Sequence, residues 1–538
     1  MTETHLLHDL LLRAAARAPE SLALTHGDQH LSYGGLRGQV QRVAAGLLRL
    51  GVARGERVGV FLEKRVETVA SCFGASLAGA VFVPVNPILR PMQVGHILQD
   101  CGVRVLVTSP QRLPALLETL SGCPELKHIV LTDAGVPPAG SGAWPPGVSR
   151  VSLAEWLEGA DAGAGVGANH RVIDSDPVAI LYTSGSTGKP KGVVVSHRNV
   201  LVGGKSVAQY LENTAEDVLL AALPLSFDAG FSQLTTAFHV GARVVLLNHV
   251  LPQDVVKAMA KEGVTGLTAV PPLWIQLAQL KWPEAVAERL RYFANTGGRM
   301  SLDTLTRLRQ HFPHSKPYLM YGLTEAFRAT YLPPEQVDAR PDSIGKAIPN
   351  SEVLVLRPDG TPCDADEPGE LVQRGPLVAL GYWNNPERTN ERFKPLPAAA
   401  GVRHAALMVP EMAVFSGDMV RRDAEGYLYF IGRNDEMIKT SGYRVSPAEV
   451  EEVLYSTGLI GECAAFGLPD EALGHAIVVV VAPPAGQASL DVEQLLKACK
   501  NLMPVYMVPR RIEVQAGGLP RNPNGKIDRT ALAAQLSA

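Results

Sequence analysis

The chain has 538 residues, of which 46% are hydrophobic and 19% charged, a composition of folded proteins far from the low-hydrophobicity, high-charge regime of disordered ones. At roughly 150 residues per domain it has room for about two to four domains. Its 50 Lys and Arg against 53 Asp and Glu leave a net charge of −3, which excludes the strongly basic surface that a nucleic-acid partner requires.

The N-terminal stretch MTETHLLHDLLLRAAARAPE lacks the basic n-region and small-residue cleavage site of a secretory signal and reads as an amphipathic first helix. From Leu31 to Ser109 helical periodicity alternates with short Val-rich runs such as ERVGVFLE and VRVLVTS, the pattern of a largely parallel α/β sheet. The span Ala134 to Asn169, rich in Gly, Ala and Pro, reads as a surface loop with a short helix at Leu153 to Leu157. After Ser206 a second α/β cycle follows, so two lobes are expected. Pro395 to Pro410 is another loose, Ala- and Pro-rich stretch.

Beyond Arg433 the character changes to a compact α+β module. Ser446-Pro447-Ala448-Glu449 is a helix start with Pro at the first helical position. Strands are expected at Ala464 to Gly467, Ala476 to Ala482 and Arg511 to Val514, with a helix around Val492 to Cys499 and a short one at the end of the chain. Cys72, Cys101, Cys123, Cys363, Cys463 and Cys499 form no CxxC pair and have no histidines at zinc-ligand spacing, so they read as reduced thiols of a cytoplasmic protein. The longest apolar candidate, Ala476 to Ala482, is strand-sized and far below the roughly 20 residues of a membrane span.

The sharpest local signal is Thr183-Ser184-Gly185-Ser186-Thr187-Gly188-Lys189-Pro190-Lys191. Hydroxyls, glycines and two lysines in one stretch suit a polyphosphate, which takes backbone N–H groups, hydroxyl donors and cations. It is not a Walker A loop, because Pro190 stands where that motif has Ser or Thr and no glycine occupies position 183. Apolar runs on both sides place it in a hairpin. A plain Gly/Ser turn would need neither the lysines nor the clustered hydroxyls.

With Tyr321-Gly322-Leu323-Thr324-Glu325, Ser416-Gly417-Asp418, Gly432-Arg433-Asn434-Asp435 and Asn524-Gly525-Lys526, this loop resembles the adenylate-forming superfamily. That family comprises acyl-CoA synthetases, adenylation domains of nonribosomal peptide synthetases, and firefly-type luciferases. The match is ordered and runs from about Leu31 to Arg529. It implies an N-terminal domain, 1–433, of two α/β lobes plus a smaller β-barrel-like part, and a small mobile α+β C-terminal domain, 434–538, that carries the catalytic lysine. It also implies ATP and Mg2+, with coenzyme A or a phosphopantetheinyl carrier as acceptor. The segments YGLTEAFRATYLPPE, SIGKAIPN and RNDEMIKTSGYRVSPAEVEEVL further resemble a bacterial subgroup of acyl-CoA ligases described as associated with exosortase systems.

By this resemblance Lys526 reaches the carboxylate and the α-phosphate during adenylation, where two anions must meet. Glu325 is similar to the magnesium-binding glutamate and Thr324 to the α-phosphate donor. Tyr321 offers a face to adenine beside Gly322, Asp418 accepts from the ribose hydroxyls, and Arg433 lies near ribose and phosphates. Thr296-Gly297-Gly298-Arg299 brings backbone close to adenine, with Arg299 standing where many relatives carry a small residue. Asp435 occupies the hinge position. Lys439, Ser441 and Gly442 follow on the segment that faces the site in the thioester-forming orientation, with Ser441 and Gly442 lining the thiol tunnel.

Phe227, Asp228, Ser232, Thr296, Met320 and Arg328 are the expected acid pocket. Phe227-Asp228 resembles the amino-acid-activating relatives, in which the aspartate pairs with the substrate's α-ammonium group. The alternative is that Asp228 pairs with Arg328. Arg328 itself suits a dicarboxylic or polar acid. With Lys526 near the end of the sequence, any carrier protein is expected to be a separate chain, and free coenzyme A serves equally. Transfer to a non-thiol nucleophile, a luciferase-like oxidase and a non-catalytic nucleotide-binding protein are rival functions. The last predicts loss of Lys526, Glu325, Thr324, Asp418 and Arg433, all of which are present.

Overall fold

This computed structural model describes residues 4–133, 144–158, 170–183, 190–402, 409–433, 436–440, 443–470, 473–484, 486–487, 489–503, 505–522 and 525–537. Among them, four sheets organise the chain. The first has eight strands, and its centre is Val81–Pro84, Arg57–Phe61 and Val103–Thr108 in parallel. These are short apolar runs buried on both faces, as parallel strands between helices must be. At one side Pro177–Thr183 and Lys191–Ser196 pair antiparallel with Thr183 opposite Lys191, the expected hairpin; residues 184–189 at its tip lie outside the described residues. Gly381–Tyr382 adds to this edge, with Tyr382 opposite Val193.

The second sheet has nine strands. Val218–Ala221, Gly266–Ala269, Tyr292–Asn295 and Lys316–Tyr321 are consecutive neighbours and parallel. Their carboxyl ends therefore open on one side, where ligands of open α/β sheets bind, and the segments that leave them carry Phe227, Val270, Thr296 and Thr324. The strand Leu22–His26 crosses to this sheet and pairs with Arg243–Leu246, so the N-terminal segment belongs to the second lobe. The first helix, Leu7–Arg17, buries Leu7, Leu10, Leu11, Ala14 and Ala15. That 3.6-period stripe packs on the helix Asp228–Val240.

The barrel-like part is corrected by the third sheet, which is open. Its five strands run Glu352–Leu356, Gly369–Arg374, Met412–Arg422 and Phe393–Pro395, with Leu428–Arg433 also pairing Met412–Arg422. Phe393–Pro395 and Leu428–Arg433 lie end to end on one side of the long central strand. The first is three residues long and ends in proline, which has no N–H to extend a ladder. Neither pairs with Glu352–Leu356, so the ring is not closed.

The third sheet ends at Arg433 and the fourth begins at Ile438. The fourth follows the sequence closely: Glu462–Asp470 and Gly474–Ala482 pair antiparallel, Arg511–Val514 joins in parallel, and Val492–Leu502 and Arg529–Ser537 are helical. Ser446 accepts from the Ala448 N–H at the start of the helix Pro447–Ser456. This part has its own core of Ile438, Val450, Leu454, Ile477, Val479 and Leu495. Six cysteines are unpaired and buried. Among the described residues no helix is long and apolar enough to cross a membrane.

Candidate functional site

One side of the cleft is built by the third sheet against the end of Lys316–Tyr321. Asp418 and Arg433 are register partners on adjacent strands, with Arg433 Nε 3.4 Å from Asp418 Oδ1. Tyr321 donates its hydroxyl to Asp418 Oδ2. The Asp418 N–H donates to Ser416 Oγ at 3.0 Å, and Ser416 donates to the Leu371 carbonyl at 2.7 Å. Gly417 has φ +72°, and a β-carbon there would lie 1.9 Å from Arg392 Nη1, so glycine is required for this turn. Asp418 Oδ1 is buried and accepts no hydrogen bond. Burial raises the Asp418 pKa, opposed by Arg433 and the Tyr321 hydrogen bond. An ionised carboxylate offers only acceptors, so this open oxygen fits the hydroxyl of a sugar.

The other side is built by the helix Asp228–Val240, the loop after Tyr292–Asn295 and the turn after Tyr321. Asp228 is 4% exposed and opens its helix. Thr324 Oγ1 lies 3.5 Å from Asp228 Oδ1. Arg328 is 3% exposed and donates from Nη1 to Thr296 Oγ1 at 3.2 Å, while its Nε donates to nothing. Among the described residues, Asp228 and Arg328 form no ion pair. Of the two alternatives the sequence left open, direct pairing is not the arrangement found. The charges still sense each other: burial raises the Asp228 pKa, with Arg328 and Lys526 pulling it down. Phe327, at φ +57°, takes a costly conformation for a non-glycine residue. Its fully buried ring packs where Gly203 leaves room, and the turn delivers Arg328 inward.

Lys526 lies between these sides. A short turn presents it: its N–H donates to Asn522 Oδ1 at 3.1 Å and its carbonyl accepts from the Asn522 N–H. A β-carbon placed on Gly297, φ +76°, would lie 3.7 Å from Lys526 Cε and 4.0 Å from Phe227 Cζ. The side chain remains accessible through the cleft, yet its ammonium is surrounded by enough protein that burial lowers its pKa. Asp228 and Asp418 oppose that shift from the two sides, and Arg433 adds to it.

Glu325 sits beside the hairpin. Its Oε1 accepts from the Tyr382 hydroxyl at 2.5 Å, and its charge raises the pKa of Lys191, which burial and Arg388 otherwise lower. No cluster of three or more His, Cys, Asp or Glu suited to a metal occurs among the described residues. One carboxylate beside the hairpin fits Mg2+, which is bound through one or two carboxylates plus substrate phosphates.

Tyr321, Thr324, Glu325, Asp418, Arg433 and Lys526 thus converge, with Thr183 and Lys191 ending the hairpin strands. Gly322 adjoins Arg328, its virtual β-carbon 3.4 Å from the Arg328 Cα, and the Gly298 carbonyl accepts from Asn295 Nδ2 at 2.8 Å. Met320 receives the Tyr210 hydroxyl on its sulfur at 3.1 Å. Arg299, an expected ATP contact, is committed elsewhere: its guanidinium binds Glu452 of the helix Pro447–Ser456 at 2.5 and 2.8 Å. Ser184, Gly185, Ser186, Thr187, Gly188, Lys189, Asp435, Ser441 and Gly442 lie outside the described residues, as does the side chain of Lys439.

Two residues around the cleft whose bonds reach far along the chain escaped sequence reasoning. Tyr382 is one, since its partner Glu325 is far along the chain. Lys64 is the other: its ammonium donates to the Ala222 carbonyl at 2.9 Å and approaches that of Leu223 at 3.4 Å, anchoring the strand end just before Phe227 and Asp228. Burial pushes the Lys64 pKa down to about 8. In Leu62-Glu63-Lys64-Arg65 it reads as an ordinary surface charge.

Residues 11–383 match the model of the AMP-binding enzymes and residues 449–526 that of the AMP-binding enzyme C-terminal domain. The indoleacetate–CoA ligase of Aromatoleum aromaticum is 30% identical over 97% of this chain and 96% of its own length. The L-proline–[L-prolyl-carrier protein] ligase of Pseudomonas fluorescens is 30% identical over 99% of each. The delta-poly-L-ornithine synthetase of Acinetobacter baumannii is 29% identical over 99% of this chain, which spans 37% of that protein. Among solved structures, an anthranilate CoA ligase in complex with anthranoyl-AMP has a TM-score of 0.87 at 26% identity, covering 100% of this chain and 98% of that one. An O-succinylbenzoate coenzyme A synthetase from Bacillus subtilis, in complex with ATP and magnesium ion, has a TM-score of 0.80 at 25% identity over 100% of both chains.

Proposed function

Because this chain belongs to the family of AMP-binding enzymes and is an AMP-forming acid-thiol ligase using ATP and Mg2+, we propose that its cleft activates a small polar acid, with Lys526 as the group that joins the two reactants. The observation that supports this most is the position of Lys526 beside Gly297 in the cleft, where the charges of Asp228 on the acid side and Asp418 on the nucleotide side act on it. A carboxylate oxygen bonds to the α-phosphorus of ATP while the bond from that phosphorus to the bridging oxygen breaks and pyrophosphate leaves. The reactants are both anions, and two unit charges 4 Å apart repel by about 4 kcal/mol at an effective dielectric near 20. A protonated Lys526 offsets that repulsion where the anions meet.

In this reading Asp418 holds the ribose, Tyr321 and the Gly297-Gly298 backbone bound the adenine, Arg433 lies by the ribose and phosphates, and Thr324 donates to the α-phosphate. The hairpin residues Thr183 and Lys191 hold the distal phosphates. Glu325, fixed by Tyr382, would hold Mg2+, which supplies charge neutralisation at the leaving pyrophosphate. We divide the chain into 1–433 and 434–538, with Asp435 as the hinge. In the second step a thiolate attacks the acyl carbon and AMP leaves, with Ser441 and Gly442 along the thiol path and Lys439 on the same segment. Coenzyme A is the acceptor in this reading.

A second reading is favoured by Asp228, a buried carboxylate without an ion-pair partner among the described residues: it receives the α-ammonium of an amino acid, which is then loaded on a carrier protein. Acid-dependent exchange of labelled pyrophosphate into ATP tests both. Exchange with small polar acids that disappears in Lys526→Ala is expected. Exchange restricted to amino acids and lost in Asp228→Asn selects the second reading, and exchange only with long-chain or bulky apolar acids removes the proposed substrate class.

A further inference from the structure

The helix Asp228–Val240 is buried nearly all round, and an apolar helix would suit that place. Instead it carries Asp228, Ser232 and Thr236 at i, i+4 and i+8, on one face. That face borders a small cavity whose polar lining comes from Ser232, Gln233, Thr236, Thr268 and Arg328, with Met320 on the wall. Four buried polar atoms here have no hydrogen-bond partner: Ser232 Oγ, Gln233 Oε1, Thr236 Oγ1 and Arg328 Nε. Unpartnered buried polar atoms are uncommon and call for a ligand or water. Arg328 is the most demanding of them, since a buried cation with no anion in contact is costly. Asp228, whose pKa the charge of Arg328 lowers, makes no ion pair with it among the described residues.

We propose that Arg328 is the specificity-determining residue of this enzyme and receives a second anionic group, a carboxylate or its equivalent, at the end of the acid remote from the reacting carboxylate. The inference rests on the reading of the cleft as an acid-activating site and names the class of acid it takes. Arg328 contacts Thr296, and the next residue, Gly297, adjoins Lys526. Neighbouring Cα atoms are about 3.8 Å apart, so the two cations are within reach of the two ends of one short acid. The guanidinium still offers Nε, which suits the planar acceptor pair of a carboxylate. Ser232 and Thr236 supply hydroxyls to the same group or to the carbon chain beside it.

The test compares dicarboxylates of about four to six carbons and acidic amino acids with length-matched monocarboxylates, in pyrophosphate exchange and, independently, in thermal stabilisation of the protein by acid plus AMP. The second anionic group should raise kcat/KM by about tenfold or more, since a site built for a polar group rejects an analogue that lacks it. Arg328→Met should bring the two classes near parity, mainly through KM, and Arg328→Lys should restore part of the preference. Thr236→Val, which keeps the shape, should weaken it less. Equal use of matched monocarboxylates by the unmodified enzyme, or a preference that survives Arg328→Met, overturns the proposal. Stabilisation by dicarboxylates that Arg328→Met abolishes, with no exchange for any acid, would sustain it and sink the adenylation reading instead. Neither stabilisation nor exchange with any member of the panel overturns both.

Discussion

The two sides of the cleft solve different problems. On the nucleotide side, Asp418 is fixed by Tyr321, held near Arg433 and bonded at its own N–H, leaving a single carboxylate oxygen open. On the acid side, four buried polar atoms have no partner and two opposite charges, Asp228 and Arg328, lie near each other without touching. A surface already shaped for its ligand spends little on reordering when the ligand arrives. A surface with open valences discriminates, because each one left unmet by the wrong ligand is costly. The nucleotide side therefore reads as a fixed platform and the acid side as the selector. Substitutions on the platform should lower activity with every acid alike, whereas those on the selector should reorder the acids.

The largest effect is expected where both sides meet. Lys526→Ala should slow adenylate formation by about 10²- to 10³-fold while largely sparing thioester formation from supplied acyl-adenylate. Single-turnover measurement of each half-reaction checks this, and equal loss in both halves would remove Lys526 from its place between the sides. Its protonation has a direction too. Burial lowers the pKa of Lys526 from the ordinary 10.5, so the protonated form and the activity that needs it are lost as pH rises through a value below 10.5. In Lys526→Arg that alkaline limb should move up, since guanidinium stays charged.

Next in size is Asp418→Asn, a test of the platform. Hydrogen bonds to charged groups contribute about 1.5–3 kcal/mol each, so KM for ATP should rise at least about tenfold, by the same factor for every acid. Burial raises the Asp418 pKa above 3.8, and the ionised group is the stronger acceptor for the sugar hydroxyls. The acid limb in ATP affinity should therefore lie above 3.8, with affinity falling as pH falls through it, and should vanish in Asp418→Asn. An acid-dependent change in KM for ATP would break the distinction between platform and selector. Tyr382→Phe is smaller: removing the hydroxyl that orients Glu325 should raise the Mg2+ requirement several-fold, again for all acids, as a magnesium titration would show.

The platform was far more legible in the sequence than the selector, and the reason is physical. The groups we assign to the nucleotide sit in short runs such as Tyr321 to Glu325 and Ser416 to Asp418 because turns at strand ends hold them, and a turn needs residues in a row. The N-terminal helix, the hairpin around the phosphate loop and the strands of the C-terminal part were legible for a like reason: a 3.6 or 2.0 period is local. Thr236 and Gln233 were passed over because a helix buried on all sides does not announce which face borders a cavity. Tyr382 and Lys64 act on partners far along the chain, and no local pattern reports such pairs. The barrel-like expectation failed for that reason as well, since closure depends on which edges pair and Phe393–Pro395 is too short to carry it round.

The smallest expected effect concerns Arg299, which joins neither side. Its position in Thr296-Gly297-Gly298-Arg299 put it with the nucleotide, yet its guanidinium makes a two-pronged contact with Glu452 on the C-terminal helix. The contact exists in the arrangement that brings Lys526 to the cleft, so under the proposed two-orientation reading it favours that arrangement over the thioester-forming one. Both side chains are well exposed, at 39% and 44%, and such surface pairs contribute about 0–1 kcal/mol, which is at most roughly fivefold in a population. Glu452→Ala should thus lower the adenylation rate and raise the thioester-forming rate by no more than that factor. The change in their ratio should shrink at about 1 M salt, where surface charges are screened. The paired exchange Arg299→Glu with Glu452→Arg should return the ratio toward its starting value. If the single variant shifts KM for ATP and leaves the ratio of the half-reactions alone, Arg299 belongs to the platform after all, and the C-terminal part owes its orientation to Lys526 and the residues around it.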